Sequence, residues 1–201
     1  MFDTYEDIKK TIDIIKAYTG FQIYWYVGYS GATSMMFHAM LEKDPFFVDR
    51  LQYASLLAPC TIPEKAPPGA KKIFDSSIDI YQMGGKGWDE LKIKACTILE
   101  KDECDQLDQY DGLQAVSVKY NAHLAQIREF SRFQEFTIPN GLGAEVKFEG
   151  IQFYMSMYWN QFDTVCSSAR ADQTMKKFQL TDWVRQYKQY SQGPGHRMFV
   201  E

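Results

Sequence analysis

The chain has 201 residues, a formal net charge of −4 and an aromatic content of 15%, which predicts one domain, or one domain with a cap. The acidic balance, without a basic stripe of interleaved aromatic side chains, argues against a nucleic-acid partner. The four cysteines form no C-x-x-C pair, and no histidine has zinc-finger spacing; we therefore expect no metal site, and no motif indicates a cofactor.

The amino terminus predicts a helix and shows no export signal. Its opening residues, MFDTYEDIKK, are acidic and lack the basic and apolar regions of a signal peptide. Ile8, Ile12 and Ile15 recur at helical spacing, which predicts an amphipathic helix over residues 5–18. Gly20 follows at a position where helices commonly end.

The segment 21–41 contains no Asp, Glu, Lys or Arg, and its two halves predict different structures. The first half, FQIYWYV, is aromatic and β-branched, which indicates a strand buried on both faces. The second half, from Gly31 onward, is typical of a helix. The segment is about as long as a membrane span, but it holds too many glycine, amide and hydroxyl groups for a bilayer core. We therefore predict no transmembrane span.

Between the two halves lies the pentapeptide Gly28-Tyr29-Ser30-Gly31-Ala32. A strand, a tight turn carrying serine and a following helix form the order of a nucleophile elbow. The turn is strained and needs small neighbours, a requirement that Gly28 and Ala32 meet. The pattern predicts Ser30 as a catalytic nucleophile and the Gly31 N–H as a donor to an oxyanion. The alternative is a serine that only caps the helix behind it.

The remaining pattern divides the chain near residue 60. Residues 51–58 predict a second buried strand, and residues 61–69 contain three prolines and predict a linker. Strand signals are few after the linker. We therefore expect an α/β core over residues 1–60 and a helical cap or lid over residues 61–201.

Several segments of the expected cap have recognisable patterns. Residues 88–100, 113–130 and 173–190 favour helices, and residues 138–143 favour a turn. The aromatic and methionine-rich run 151–162 has two interpretations. It lines an acyl-chain pocket or contacts a lipid surface, or it is a core segment of the cap, which is the interpretation we favour.

The cysteines leave the redox state open. Cys96 and Cys104 are close enough in sequence to pair across a turn. Free, partly buried thiols are the alternative for these two and for Cys60 and Cys166, and composition does not decide between them.

None of the three histidines is a strong candidate for a general base. His38 lies eight residues beyond Ser30 on one predicted helix, roughly 12 Å along its axis, and we expect it to be packed or at the surface. We expect His123, on a predicted cap helix, to face solvent. His196, in a Gly-Pro-Gly-His loop, is the least unfavourable, and no aspartate stands out as its partner.

Five short blocks in the first 59 residues match one known family. They are Asp7, Thr11-Ile12-Asp13, Thr19-Gly20, Tyr26-Val27-Gly28-Tyr29-Ser30 and Leu57-Ala58-Pro59. In this order they resemble the acid lipases, the α/β-hydrolases that include lysosomal and gastric lipases. In that family a helix ends in Thr-Gly, a strand contains Tyr-Val-Gly-His-Ser-Gln-Gly, and the next strand ends in Leu-Ala-Pro. This chain departs from the family where Tyr29 replaces His and Gly31-Ala32 replaces Gln-Gly.

The resemblance implies a partial α/β-hydrolase fold with a mainly helical cap. It implies that Ser30 hydrolyses carboxylic esters of lipids, such as acylglycerols or sterol esters. A lipid ester is the implied partner, contact with a lipid surface is a further expectation, and a secreted or lysosomal compartment is implied.

The resemblance also implies missing parts. The family has several strands and a His-Gly loop before this stretch, and its acid and base after the cap. We therefore expect the chain to correspond to the middle of an acid lipase, without the acid, the base and the second oxyanion donor. Because loss of one triad member leaves only about 10³- to 10⁴-fold catalysis over water, such a chain is expected to be nearly inactive and, with unpaired strand edges, poorly soluble.

Two alternatives stay open. One is a catalytically inactive pseudo-hydrolase remnant or interaction protein, in which the elbow serves packing alone. The other is a membrane-associated helical protein.

Overall fold

The computed structural model of the chain describes residues 5–41, 44–64, 77–82, 93, 96–97, 101, 117–146, 154–177 and 184–199. The chain forms two compact units. The first, here called the sheet unit, comprises Phe2–Glu64 and Val146–Glu201, and the second, the insert unit, comprises Met1 and Lys65–Glu145.

The sheet unit contains both helices and strands. In chain order they are α1 (Tyr5–Thr19), β1 (Trp25–Tyr29), α2 (Gly31–Leu41), α3 (Pro45–Val48), β2 (Tyr53–Leu57), then β3 (Tyr154–Asn160), α5 (Ser168–Lys177), β4 (Val184–Tyr190) and a 3₁₀ helix (Gly195–Phe199). The helix α4 (Val118–Phe130) precedes β3 and belongs to the insert unit.

Within the described residues, the four strands form one parallel sheet in the order β1-β2-β3-β4. Trp25 of β1 is opposite Tyr53 of β2, and Tyr53 is opposite Tyr154 of β3. Parallel neighbours need a crossover connection. The connection from β1 to β2 contains α2, and the connection from β3 to β4 contains α5. The predicted α/β class is confirmed.

The carboxyl-terminal part of the chain differs from the sequence-based expectation. The cap was expected to extend over residues 61–201, but β3 and β4 lie in the same sheet as β1 and β2. The predicted helix over 173–190 is wrong, because this stretch contains the end of α5 and all of β4. The pattern misleads because β4 is an edge strand whose residues Arg185 to Gln189 are all exposed, so that it lacks a buried apolar face.

The methionine-rich run 151–162 is also reassigned. It contains β3, a central strand, and Met155, Met157 and Trp159 are at most 1% exposed. Neither interpretation of this run as part of a cap is therefore correct. A strand buried on both faces has no alternation of polar and apolar residues, and periodicity does not distinguish it from a buried helix.

The core of the sheet unit is built on α2 and β3. Met36, Phe37 and Met40 of α2 are at most 2% exposed, so this helix is buried on most of its circumference, as expected for an apolar helix. Each such buried side chain contributes about 1.5–3 kcal/mol relative to exposure. Among the helices that the structure describes, none combines the length and hydropathy needed to cross a bilayer.

The described part of the insert unit is mainly helical. Residues 77–82 form a helical turn whose Ile78 packs against Ala122 and Ala125 of α4. The Ser117 Oγ caps α4 by accepting a 3.0 Å hydrogen bond from the Tyr120 N–H. The predicted helix over 113–130 is thus present from residue 118 onward, and residues 113–116 and most of the expected helix 88–100 lie outside the described residues.

The three cysteines among the described residues are all in disulfides. Cys60 and Cys166 are joined across 106 residues of sequence, and Cys96 is also in a disulfide. The alternative of free thiols is therefore wrong for these three residues. Cys104, its predicted partner, lies outside the described residues.

Candidate active site

Ser30 occupies the turn between β1 and α2. Its backbone φ is +54°, a strained value for a residue with a side chain. Its N–H donates a 2.9 Å hydrogen bond to the Leu57 carbonyl at the end of β2, and its carbonyl accepts one of 2.9 Å from the Thr33 N–H in the first turn of α2. The backbone therefore has the strand–turn–helix geometry of an elbow.

Gly28 is needed for close packing beside this turn. A Cβ at this position would lie 2.6 Å from Cε1 of Tyr26. The Tyr26 hydroxyl continues past Gly28 and donates a 3.0 Å hydrogen bond to the Ala32 carbonyl. Burial raises the pKa of Tyr26 to about 12, because the phenolate would lose its hydration. The ring and hydroxyl of Tyr26 thus connect the two ends of the elbow.

The Ser30 hydroxyl is directed at a histidine that follows the last strand. The Oγ lies 2.7 Å from Nε2 of His196, in the 3₁₀ helix after β4. Tyr29, directly before Ser30, holds the same histidine in two ways. Its hydroxyl donates a 2.8 Å hydrogen bond to the His196 carbonyl, and its ring lies against the imidazole with centroids 5.2 Å apart.

The other imidazole nitrogen of His196 contacts Asp163, just beyond β3. Nδ1 lies 2.7 Å from Oδ2 of a carboxylate whose side chain is fully buried. The second oxygen, Oδ1, accepts hydrogen bonds of 2.8 Å from the N–H groups of Val165 and Cys166. An ionised carboxylate only accepts hydrogen bonds, so Nδ1 carries the proton and Nε2 is left to accept one from the Ser30 hydroxyl.

The topology of the sheet explains how these three residues meet. Ser30, Asp163 and His196 each follow the carboxyl end of a strand, namely β1, β3 and β4, and the carboxyl ends of parallel strands lie at one edge of the sheet, where such folds place their sites. The chain order serine, aspartate, histidine is also the order of triads built on a nucleophile elbow.

Gly195 allows the histidine to approach the aspartate. Its φ is +67°, and a Cβ there would lie 2.7 Å from the Phe162 carbonyl oxygen. Only glycine combines this backbone conformation with such an approach. The Gly-Pro-Gly-His loop is therefore closely packed against the segment that follows β3.

The sequence predicts that no acid and no base accompany Ser30. The structure contradicts this prediction, because a histidine and an aspartate lie at this site. His196 has both Ser30 and Asp163 as partners. The error came from assigning residues 151–201 to the cap, which hid the two strands that carry Asp163 and His196 to the site. The usable signal was the position of Asp163 shortly after one strand and of His196 shortly after the next.

The other two histidines lie elsewhere. His38 is buried on α2, in agreement with a packed side chain. His123 is only 1% exposed, and its Nε2 donates a 2.7 Å hydrogen bond to the Gln134 carbonyl. The prediction that His123 faces solvent is wrong, because α4 packs this side against the segment that follows it.

One cluster in the described part of the chain has the composition of a metal site. Ligand atoms of Asp163, Cys166 and His196 lie within 4.8 Å of one another. The Cys166 sulfur is in a disulfide and is no thiolate, and the Asp163 and His196 groups are bonded to each other. Since a thiolate is the form that binds metals, this set does not fit a metal ion.

Comparison with known proteins adds little. No protein-family model matches the chain, and no curated protein matches it. A solved structure of homoserine O-acetyltransferase from Staphylococcus aureus is similar at 13% sequence identity, with a TM-score of 0.48. The match covers 97% of this chain and 60% of that one, so the chain spans about three-fifths of its length.

Proposed function

We propose that the chain carries the catalytic triad of a serine hydrolase of the α/β-hydrolase type, with Ser30 as nucleophile, His196 as general base and Asp163 as the group that orients the histidine. The observation that supports this proposal is the continuous hydrogen-bonded series from Ser30 Oγ through both nitrogens of His196 to Asp163, with two distances of 2.7 Å. Ser30 and His196 are 166 residues apart in sequence, and Asp163 and His196 are 33 residues apart.

The proposed reaction is the cleavage of a carboxylic ester in two steps. The Ser30 oxygen attacks the carbonyl carbon while Nε2 of His196 takes the hydroxyl proton, and Asp163 stabilises the imidazolium that forms. The intermediate collapses as His196 gives this proton to the leaving alcohol. Water, deprotonated by the same histidine, then releases the acid from Ser30.

Gly31 is the proposed donor to the oxyanion. It is the first residue of α2, and the first N–H groups of a helix have no partner within it. The positive end of the helix dipole adds to the stabilisation of negative charge there. Losing one such donor costs on the order of 10²- to 10³-fold in kcat. The acid lipases have a second donor in a His-Gly loop, and its absence from this chain stays a prediction.

The proposed substrates are lipid esters such as acylglycerols or sterol esters. This part rests on the resemblance of the elbow region to the acid lipases. The loop around Asp163 is consistent with an apolar substrate, since Phe162 and Val165 are 56% and 42% exposed. Contact with a lipid surface is part of the same proposal.

Labelling with a fluorophosphonate tests the nucleophile. The full chain is expected to react once, at Ser30, and Ser30→Ala is expected to abolish labelling. Ser191→Ala removes an exposed serine and serves as the matched control that labels like the wild type. A wild-type chain that does not label, or labelling that persists in Ser30→Ala, would overturn the proposal and favour the pseudo-hydrolase alternative.

A series of p-nitrophenyl esters tests the substrate class. The value of kcat/KM is expected to rise from acetate to palmitate, and a cholesteryl or glyceryl ester of a long acid is expected to be cleaved. Turnover confined to the acetate would leave the serine hydrolase in place and reject the lipid substrate.

A further inference from the structure

A disulfide lies close to the candidate site and is attached to the segment that carries Asp163. The Cys60–Cys166 disulfide joins the segment after β2 to the segment after β3. Between these cysteines the chain leaves the sheet unit at Glu64, forms the insert unit and returns at Val146. The disulfide therefore joins a residue before the insert unit to a residue after it in the sequence.

On one side the disulfide is coupled to the acid. Cys166 donates its backbone N–H to Oδ1 of Asp163, as does Val165, both at 2.8 Å. The Cys166 side chain is 1% exposed, and the Asp163 side chain is fully buried. A movement of Cys166 would therefore change the anchoring of the carboxylate whose other oxygen contacts His196.

On the other side the disulfide is coupled to the elbow. The Cys60 N–H donates a 3.0 Å hydrogen bond to Oγ1 of Thr33, and that hydroxyl donates one of 2.5 Å to the Ser30 carbonyl. The Ser34 hydroxyl also donates to the Cys60 carbonyl. Cys60 is thus attached to the first turn of α2, directly behind the proposed nucleophile.

We propose that the Cys60–Cys166 disulfide is a positioning element of the triad, which together with Thr33 fixes Asp163 relative to Ser30. The contacts form a closed circuit: from Ser30 through Thr33 and Cys60 to Cys166, on to Asp163, and through His196 back to Ser30. This inference rests on the proposed function for its catalytic consequence. Its structural content, the alignment of Asp163 with His196, is measurable without turnover.

Neighbouring contacts suggest that the fold survives without the disulfide. The Glu64 N–H donates a 2.7 Å hydrogen bond to the Val165 carbonyl, and the Ser167 hydroxyl donates to the Glu64 carboxylate. Thr61 and Thr174 share a buried hydrogen bond of 2.5 Å. We therefore expect loss of the disulfide to loosen the position of Asp163 while the two segments stay together.

The experiment compares the double variant Cys60→Ser/Cys166→Ser with Cys96→Ser/Cys104→Ser in the full chain. The control removes the other two cysteines and leaves Cys60–Cys166 in place. Two readouts are used: the low-field proton NMR signal of the His196 Nδ1–H, assigned by its loss in Asp163→Asn, and the limiting rate constant of fluorophosphonate labelling at saturating probe.

We expect the Cys60/Cys166 double variant to give a cooperative thermal melt, to lose or broaden the low-field signal, and to label at least tenfold more slowly with unchanged probe affinity. The control is expected to keep both readouts. A double variant with the wild-type signal and a labelling rate constant within twofold of the wild type would overturn the proposal and leave the disulfide a purely stabilising role. If the wild type shows the signal but does not label, the proposed function fails, and the signal alone still decides the positioning role.

A second variant covers the case in which the double variant does not fold. Thr33→Val keeps the disulfide and removes the hydroxyl that couples Cys60 to Ser30. A weakened low-field signal with slower labelling supports the proposal, and unchanged values of both overturn it.

Discussion

The carboxyl end of the sheet and its β1 edge are built in opposite ways. At the carboxyl end, polar side chains are withdrawn from solvent and paired, as with the fully buried Asp163 and its three hydrogen bonds. At the β1 edge, apolar side chains are exposed: Trp25 and Val27 are 61% and 60% accessible. The polar groups at the carboxyl end are thus paired with one another, whereas the β1 edge presents apolar surface on which another strand could pair.

The opposite edge of the sheet strengthens this contrast. β4 carries Arg185 and Lys188, which cover the rings of Tyr154 and Tyr190, and charged side chains are a usual protection of an edge strand. β1 has the sequence WYVGY, without a charge. An open, largely apolar groove of about 480 Å³ runs beside it, between α1 and β1. We therefore expect chemistry and self-association to respond to different substitutions.

The largest effect is expected at the carboxyl end. Asp163→Asn leaves a hydrogen-bonding group of the same shape but favours the wrong imidazole tautomer, and in serine hydrolases such a change costs about 10⁴-fold in kcat. The rate of ester cleavage and the sedimentation profile of Asp163→Asn, measured on one preparation, test whether the substitution affects chemistry without affecting self-association. A variant that also changed self-association would show that the two regions are coupled.

The next effect compares two glycines with positive φ, Gly195 beside the candidate site and Gly20 directly after α1. Gly195→Ala and Gly20→Ala both introduce left-handed strain of about 1–2 kcal/mol. At Gly20 a Cβ meets nothing within 4 Å, whereas at Gly195 it meets the Phe162 carbonyl, which adds an overpacking cost of about 1–3 kcal/mol. Urea unfolding measures both losses, and only Gly195→Ala is expected to slow labelling of Ser30. Equal losses would mean that the approach to Phe162 relaxes freely.

A smaller effect concerns Tyr26, which lies in β1 and contacts the elbow. Burial raises its pKa to about 12 from an unfolded value near 10, so its contribution to stability is complete below pH 10 and is lost as the pH rises through 12. The free energy of unfolding of the wild type should fall relative to that of Tyr26→Phe by at most about 1.4 kcal/mol per pH unit in this window. Subtracting the variant removes the effect of the other tyrosines, among them Tyr187, whose pKa is raised by burial. Parallel curves for the two proteins would contradict a buried Tyr26 hydroxyl.

The smallest effect on stability is expected at the β1 edge. Val27→Lys places a charge on a side chain that is 60% exposed, so the free energy of unfolding should change by no more than about 0.5 kcal/mol. Self-association, measured by sedimentation velocity, should decrease, because a charged edge strand is a poor template for pairing. Gln186→Lys on the already charged β4 is the matched control and should have no effect. A wild-type chain that is monomeric and melts cooperatively would remove the difference between the edges.

The elbow was predictable because its determinants are local. Gly28, Ser30 and Gly31 act within one turn of backbone, so a strand pattern, a small-residue requirement and a helix pattern were sufficient to find it. The α/β class followed from the same segment. Tyr29 was visible in sequence only as a departure from the acid lipases, and its contact with His196 could not be deduced from that departure.

The later part of the chain was misassigned because its strands lack a distinguishing pattern. β3 is buried on both faces, and β4 is exposed at the edge, so neither alternates between apolar and polar residues. Without these two strands, no sequence pattern indicated that Asp163 and His196 lie near the elbow. For the same reason, no pattern indicated that Cys60 pairs with Cys166.

The amino-acid sequence by itself determined the strained serine turn, since neighbouring residues along the backbone decide which φ and ψ values and which side-chain sizes a turn accepts. Only the tertiary structure decided which acid and which histidine meet that serine, and which cysteines join behind it. Those partners are separated by up to 166 residues, and the pairing of parallel strands, which is a long-range property, brings their carboxyl ends to one edge of the sheet.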